Sequence, residues 1–294
     1  MSRTLTDMPP ADPTADSSRA AAALWDIATP ARPGRLPGVS MAGFRARTTD
    51  PVDLGVVPYP AVTVAVNLGD GPLAAHDADG RRLDDSVAIG LAAGGVRGRG
   101  RNIDCLQIRL SPLIAHAVLR GCAESGGTVI PLDDLWGRDA PHTQEQLRAA
   151  ASWEDRFTIA EAVLARRHDA GPATDPEVAF AWRRMLAHRG GIRVEQLATE
   201  VGWSRKRLWS RFRAQIGLTP KRAARLIRFD HAAHRLAAGH PATLVAAETG
   251  YADQSHLHRD ALTFTGLTPT AVATAPWLAV DDTAWPTPAY LGGI

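Results

Sequence analysis

From about Val39 to Leu110 the apolar residues fall in short runs with a two-residue period. Ala61–Leu68 places Val62, Val64, Val66 and Leu68 on one side. Ile103–Leu110 alternates Asp104, Leu106, Ile108 and Leu110 against Ile103, Cys105, Gln107 and Arg109. Such alternation marks strands, and Val87-Ala88-Ile89 offers another short one. Gly69-Asp70-Gly71-Pro72 and Asp79-Gly80 read as turns. The pattern predicts a small antiparallel sheet with a barrel-like form.

At Ser111-Pro112 the period changes. Serine suits an N-cap and proline the first helical turn. Leu113, Ala117 and Leu119 then supply apolar positions, and residues 143–167 read as two helices meeting near Ser152. Leu147, Phe157, Ile159, Val163 and Leu164 form their core side. The polar stretch His168–Pro176, with its Gly and Pro, marks a linker. The fold class expected is α+β: a sheet followed by helices, then an all-α C-terminal domain of about seven helices. The division is residues 1–22 as a disordered tail, 23–170 as a sensing or dimerisation domain, 171–176 as linker, 177–275 as a DNA-binding domain and 276–294 as an irregular tail.

The C-terminal third repeats itself. Leu197-Ala198-Thr199-Glu200-Val201-Gly202-Trp203 corresponds to Val245-Ala246-Ala247-Glu248-Thr249-Gly250-Tyr251 at an offset of 48. Gly217-Leu218-Thr219-Pro220 recurs as Gly266-Leu267-Thr268-Pro269 at an offset of 49. Two copies are too few for a solenoid, so one small motif is used twice. In each copy a short helix ends at a glycine, which turns the chain without a Cβ clash. A capped second helix follows: Ser204 caps the first copy's and Asp253 the second's. Thr243 is expected to cap the short helix of the second copy. Leu208, Phe212 and Ile216 share one face, as do Leu257, Ala261 and either Phe264 or Thr265. Each Leu-Thr-Pro starts a further helix; after the first copy it is long, from Pro220 to about Ala238. Ahead of the repeat, Asp175-Pro176 starts a helix with Val178, Trp182, Met185 and Leu186 at core spacing, ended by Gly190-Gly191.

This layout is that of a helix-turn-helix pair. Its outward residues are Arg205, Lys206, Trp209, Ser210 and Arg213 in the first copy, and Gln254, Ser255, His256, His258 and Arg259 in the second. Arg and Lys can pair with guanine, and Gln, Ser and His can bond other base edges or phosphate. Charge supports a polyanion partner: residues 177–275 hold 15 Lys/Arg against 7 Asp/Glu, within a chain of net charge +2. A charged helix face is usually just solvated; the repeat and the basic bias together favour contact with double-stranded DNA. Trp182, Trp203 and Tyr251 read as packing groups.

These residues resemble the AraC/XylS family of transcription regulators. The resemblance covers residues 177–275 and is most specific over Gly250–Arg259 with Gly266–Pro269. It implies two recognition helices in successive major-groove segments, about one turn or 34 Å apart. The family usually carries an aromatic residue where this chain has Ala261, and often arginine where it has Ser210; Trp209 is bulky for its place. The two-part layout implies a small-molecule effector for the N-terminal half. A second copy of the chain and RNA polymerase are further expected partners.

Enzymatic alternatives need ligands the sequence does not cluster. A metal barrel would gather His and carboxylates, yet His76, His116, His142 and His168 are scattered, with Asp77 and Asp79 in a turn. Alkyl-transfer DNA repair would need a zinc-held cysteine cluster, and Cys105 and Cys122 are the only cysteines. No enzyme activity, metal or cofactor is expected. An architectural DNA binder is the other alternative, against which two distinct recognition helices argue. No apolar run approaches the roughly 20 residues of a membrane span, and residues 1–22 lack the basic-then-apolar order of a signal peptide. The expected location is the cytoplasm, with the nucleoid.

Overall fold

The computed structural model describes residues 23–71, 73–77, 79–91, 94–120, 128–275 and 278–285. The expected tail at 1–22 and Cys122 lie outside these residues.

Among the described residues the N-terminal half holds ten strands in two antiparallel sheets. β1 (Trp25–Ala28), β2 (Val39–Ala46), β4 (Val62–Asn67), β7 (Val87–Ile89), β9 (Asp104–Leu110) and β10 (Val129–Pro131) form a six-stranded sheet in the order β1-β2-β9-β4-β7-β10. β3 (Val52–Gly55), β5 (Leu73–His76), β6 (Arg82–Asp84) and β8 (Arg97–Gly100) form a second in the order β3-β8-β5-β6. The alternation in β9 and β4 sorts their side chains. Leu106, Ile108 and Leu110, with Val62, Val64 and Val66, enter the main core that the helices share. Cys105, Gln107 and Arg109, with Thr63 and Ala65, face the space between the sheets. Every residue of β4 is buried, because both faces of this sheet are covered.

Among the described residues four helices follow: α1 (Pro112–Val118), α2 (Leu132–Trp136), α3 (Asp139–Ala149) and α4 (Trp153–Asp169). Ser111 occupies the N-cap of α1 without a side-chain cap bond. Ser152 caps α4 by accepting from the Asp155 amide at 3.1 Å, so the break between α3 and α4 falls where the sequence places it.

The C-terminal half contains α5 (Pro176–Ala187), α6 (Val194–Glu200), α7 (Arg205–Ile216), α8 (Pro220–Ala237), α9 (Ala242–Glu248), α10 (Gln254–Thr265) and α11 (Pro269–Ala273). α8 is the spine: α5, α7, α9, α10 and α11 all pack on it. Asp175, at the N-cap of α5, does not cap it; Arg211 takes its carboxylate through two hydrogen bonds of 2.7 and 2.8 Å. A hydrogen-bonded arginine beside it holds the Asp175 carboxyl below the usual range.

One hydrophobic core runs through both halves, from Val64 and Leu106 to Trp182, Phe212 and Phe229. α1 packs against α7. The stretch before α5 lies on α1: a Cβ on Gly171 would sit 2.4 Å from the Ala117 carbonyl oxygen, and Thr174 Oγ1 donates to the Leu113 carbonyl.

The segment after Ala275, expected to be irregular, is ordered in its described part. Leu278–Val280 forms a 3-10 turn and Asp281–Ala284 a short helix, α12. Asp281 and Trp285 are both buried. Trp285 packs on Phe44 of β2, with ring centroids 6.2 Å apart, so this segment closes one side of the barrel. Its order comes from partners remote in sequence, which its local composition does not reveal.

Candidate nucleic-acid interface

The two copies of the repeat fold alike at their turns and caps. In the first, Gly202 takes φ +67° after α6, and the Trp203 amide donates back to the Ala198 carbonyl at 2.9 Å. In the second, Gly250 takes φ +76° after α9, and the Tyr251 amide donates to the Ala246 carbonyl at 3.0 Å. A residue with a Cβ is strained at such φ, which explains glycine at both places. Ser204 Oγ then accepts from the Arg207 amide at 3.2 Å, and Asp253 Oδ1 from the His256 amide at 2.7 Å. Each cap opens a 12-residue helix, α7 or α10. Gly217 and Gly266 end these helices in the left-handed region. Thr219 and Thr268 cap α8 and α11, each followed by proline in the first turn. Thr243 caps nothing: α9 begins at Ala242 behind Pro241. The preset φ of proline places the entry two residues earlier than a threonine cap would.

The inward faces are as the periodicity predicts. Leu208, Phe212 and Ile216 are buried on α7, and Leu257, Ala261 and Phe264 on α10. Phe264 stacks on Phe229 of α8 at 5.1 Å. Asp260 also lies on the inward side of α10, 1% exposed, and Arg225 of α8 donates to it at 2.6 Å. An acidic residue at the spacing of Leu257, Ala261 and Phe264 is the sequence sign of such a pair, and the helical reading passed over it.

The outward faces differ. On α7, Arg205, Lys206, Trp209, Ser210 and Arg213 are all exposed. Arg205 bridges to Glu195 at 3.2 Å, an open pair that holds it weakly. Arg207 stacks on Trp203 at 4.3 Å, and Arg213 lies over Trp209 at 5.3 Å. Trp209 is 43% exposed, so its ring is an apolar shelf beside the Arg213 charge. Among the described residues, Lys206 and Arg213 make no ion pair.

On α10, Gln254, Ser255, His258 and Arg259 are exposed, and His256 is half-buried edge-on to Tyr251 at 5.1 Å. Arg259 is the sole arginine or lysine of this helix, and its Nε donates to the Ser255 carbonyl at 3.4 Å. The first helix therefore presents mainly cations and the second mainly amide, hydroxyl and imidazole groups. Trp203 and Tyr251 are packing groups, half-buried and buried respectively.

A second polar assembly lies between the halves, and sequence reasoning missed it. Arg109 of β9 is buried with its guanidinium between two rings, 3.7 Å from the Tyr59 centroid and 4.1 Å from that of Trp285. Its Nη2 donates to Asp281 Oδ1 at 3.0 Å. The other carboxylate oxygen accepts from Tyr59 Oη at 2.7 Å and from His234 Nε2 of α8 at 3.3 Å. His234 Nδ1 lies 2.8 Å from the Asp230 carbonyl. Burial alone would lower the His234 pKa, but the bond to Asp281 and the Asp230 charge outweigh it and raise it to about 9. Burial alone would raise that of Asp281; Arg109, His234 and Tyr59 hold it below the ordinary carboxylate value. The barrel, the spine helix and the C-terminal segment thus meet at one carboxylate.

Beside this cluster, between the sheets, is a cavity of about 160 Å³. Its walls include Leu54, Val87, Ile89 and Val96, with Asp281 and Trp285 closing one side. Cys105 also lines it, with burial pushing its thiol up to about 12. Among the described residues no three His, Cys, Asp or Glu side chains gather as a metal site. Among them also, no helix is long and apolar enough to cross a membrane.

Residues 197–275 match the family model described as "Helix-turn-helix domain", which spans the last residues of α6 through α11. This is the segment that holds both copies of the repeat, and it forms a helix-turn-helix domain. No curated protein matches the chain. Among solved structures, ToxT from Vibrio cholerae O395 is similar at 10% identity and a TM-score of 0.45, over 81% of this chain and 98% of that one. The C-terminal domain of AraT, a response regulator from Geobacillus stearothermophilus, is similar at 19% identity and a TM-score of 0.32, over 34% of this chain and 85% of that one. The AraC-like transcriptional activator CuxR is similar at 18% identity and a TM-score of 0.26, over 67% and 83%.

Proposed function

We propose that this chain is a sequence-specific transcription regulator that reads two successive major-groove segments with α7 and α10. The observation that carries the reading is the duplication itself. Two helices with matching caps and matching glycine turns each bury one face and leave the polar face to solvent. A helix of 12 residues is about 18 Å long, enough to lie in a major groove about 12 Å wide.

The chemistry divides between the two helices. Lys206 and Arg213, with Arg205 released from its open bridge, suit phosphate and guanine. Gln254, Ser255, His256 and His258 suit base edges, with Arg259 beside them. Trp209 fits against sugar or a thymine methyl. Ser204 and Asp253 act as caps. Residues 177–275 form the DNA-binding part, and residues 23–170 a sensing part whose cavity takes an effector, joined through 171–176.

The test uses the full chain. Random duplexes are selected for binding, and the enriched site is then titrated at two salt concentrations. An enriched two-part motif and affinity falling steeply with salt are expected. Lys206→Ala with Arg213→Ala should flatten the salt slope by about 2. Gln254→Ala should instead relax base preference at one position. No enriched motif would leave an architectural binder, and a flat salt response would end the reading.

A further inference from the structure

We propose that the cavity between the two sheets binds an uncharged, apolar molecule of about one aromatic ring. Size is the first argument. The cavity holds about 160 Å³, close to the ~150 Å³ apolar cavity that admits benzene in another protein. A long-chain or multi-ring ligand would not fit inside it whole.

Charge is the second argument. Among the described lining residues the one buried cation, Arg109, is already engaged. Asp281 takes its Nη2, and Tyr59 and Trp285 cover its two faces. Its Nε is sealed from solvent and has no hydrogen-bond partner among the described residues. Asp281 in turn accepts from Arg109, Tyr59 and His234. The other carboxylate on the lining, Asp85, is half-exposed, with Gln144 donating to it at 2.7 Å. Neither an anion nor a cation would find a free buried counter-charge, and burying a charge without one is costly.

The third argument is the glycines of β8. This strand reads Arg97-Gly98-Arg99-Gly100 at the centre of its sheet. Arg97 and Arg99 point out and share Asp53, both at 2.8 Å. Gly98 lines the cavity, and a Cβ there would meet nothing within 4 Å. Packing does not demand glycine at this place; its absent side chain is what leaves the room.

The regulatory meaning of such a site rests on the effector reading above, but its chemistry does not. Calorimetric titration of the full chain with toluene, benzoate and benzylammonium compares one ring in three charge states. Toluene should bind one to one, at least about tenfold more tightly than either ion. Gly98→Leu should abolish toluene binding while keeping or raising the melting temperature, and Gly98→Ala should retain it. Benzoate or benzylammonium binding as well as toluene, no toluene binding, or full toluene affinity in a folded Gly98→Leu variant would each overturn the proposal. Toluene bound as expected with unchanged affinity for the selected duplex would refute effector control alone and leave the ligand class standing.

Discussion

The carboxylate of Asp281 should be among the costliest atoms in the molecule to remove. The side chains of Asp281 and Arg109 are 6% and 8% exposed. Asp281→Ala strands a buried guanidinium between two rings and deprives Tyr59 Oη and His234 Nε2 of their acceptor. Deleting one partner of a buried ion pair costs about 3–5 kcal/mol. Typical domain stability is about 5–15 kcal/mol, so a large share is at stake. Urea unfolding of the full chain at pH 7, followed by circular dichroism, reads the loss as a lower midpoint at constant m. A double change, Asp281→Leu with Arg109→Met, should recover most of it, because no charge is then left unpaired. A single-variant loss below about 1 kcal/mol would show that the cluster is hydrated and that the segment does not anchor the halves.

Three further outcomes follow from particular groups. His234 has a folded pKa of about 9 against 6.5 for the free group. Its stabilising contribution is therefore complete below pH 6.5 and lost as pH rises through about 9, so the stability gap between wild type and His234→Gln should shrink over that window in urea melts. Cys105 should stay unmodified by a thiol reagent at pH 8 in the native chain, as read by mass mapping of its peptide; modification at a free-thiol rate would contradict its burial and raised pKa. Ser204→Ala and Asp253→Ala should each cost about 1 kcal/mol in stability. The Asp253 change should also loosen binding of the selected duplex, since it frays the start of α10; unchanged melting in both would remove the caps from the account.

What the sequence discloses depends on how far apart the interacting residues lie. The repeat, its glycine turns and its caps are local, so Gly202, Ser204, Gly250 and Asp253 announce them. The strands β4 and β9 announce themselves by alternation. β8 does not, since Arg-Gly-Arg-Gly has low strand propensity and pairs because β3 and β5 flank it. Thr243 misled because a threonine before an apolar run is an ordinary cap signal, whereas Pro241 fixes the start. Arg109 and Asp281 are 172 residues apart, and no local pattern joins them. Asp260 was legible in principle, as a charge on a buried face, but its partner Arg225 was not.

A barrel whose wall is borrowed from residues 278–285 imposes a schedule on biosynthesis. The strand that carries Arg109 leaves the ribosome 172 residues before Asp281 does. At about 5–20 residues per second that is a delay of roughly 9–34 s. Throughout it the nascent sheets have neither the indole lid nor the counter-ion for their buried cation. The same debt falls on any fragment cut just before α5: it would expose Phe44 and Tyr59 to water and keep Arg109 uncompensated.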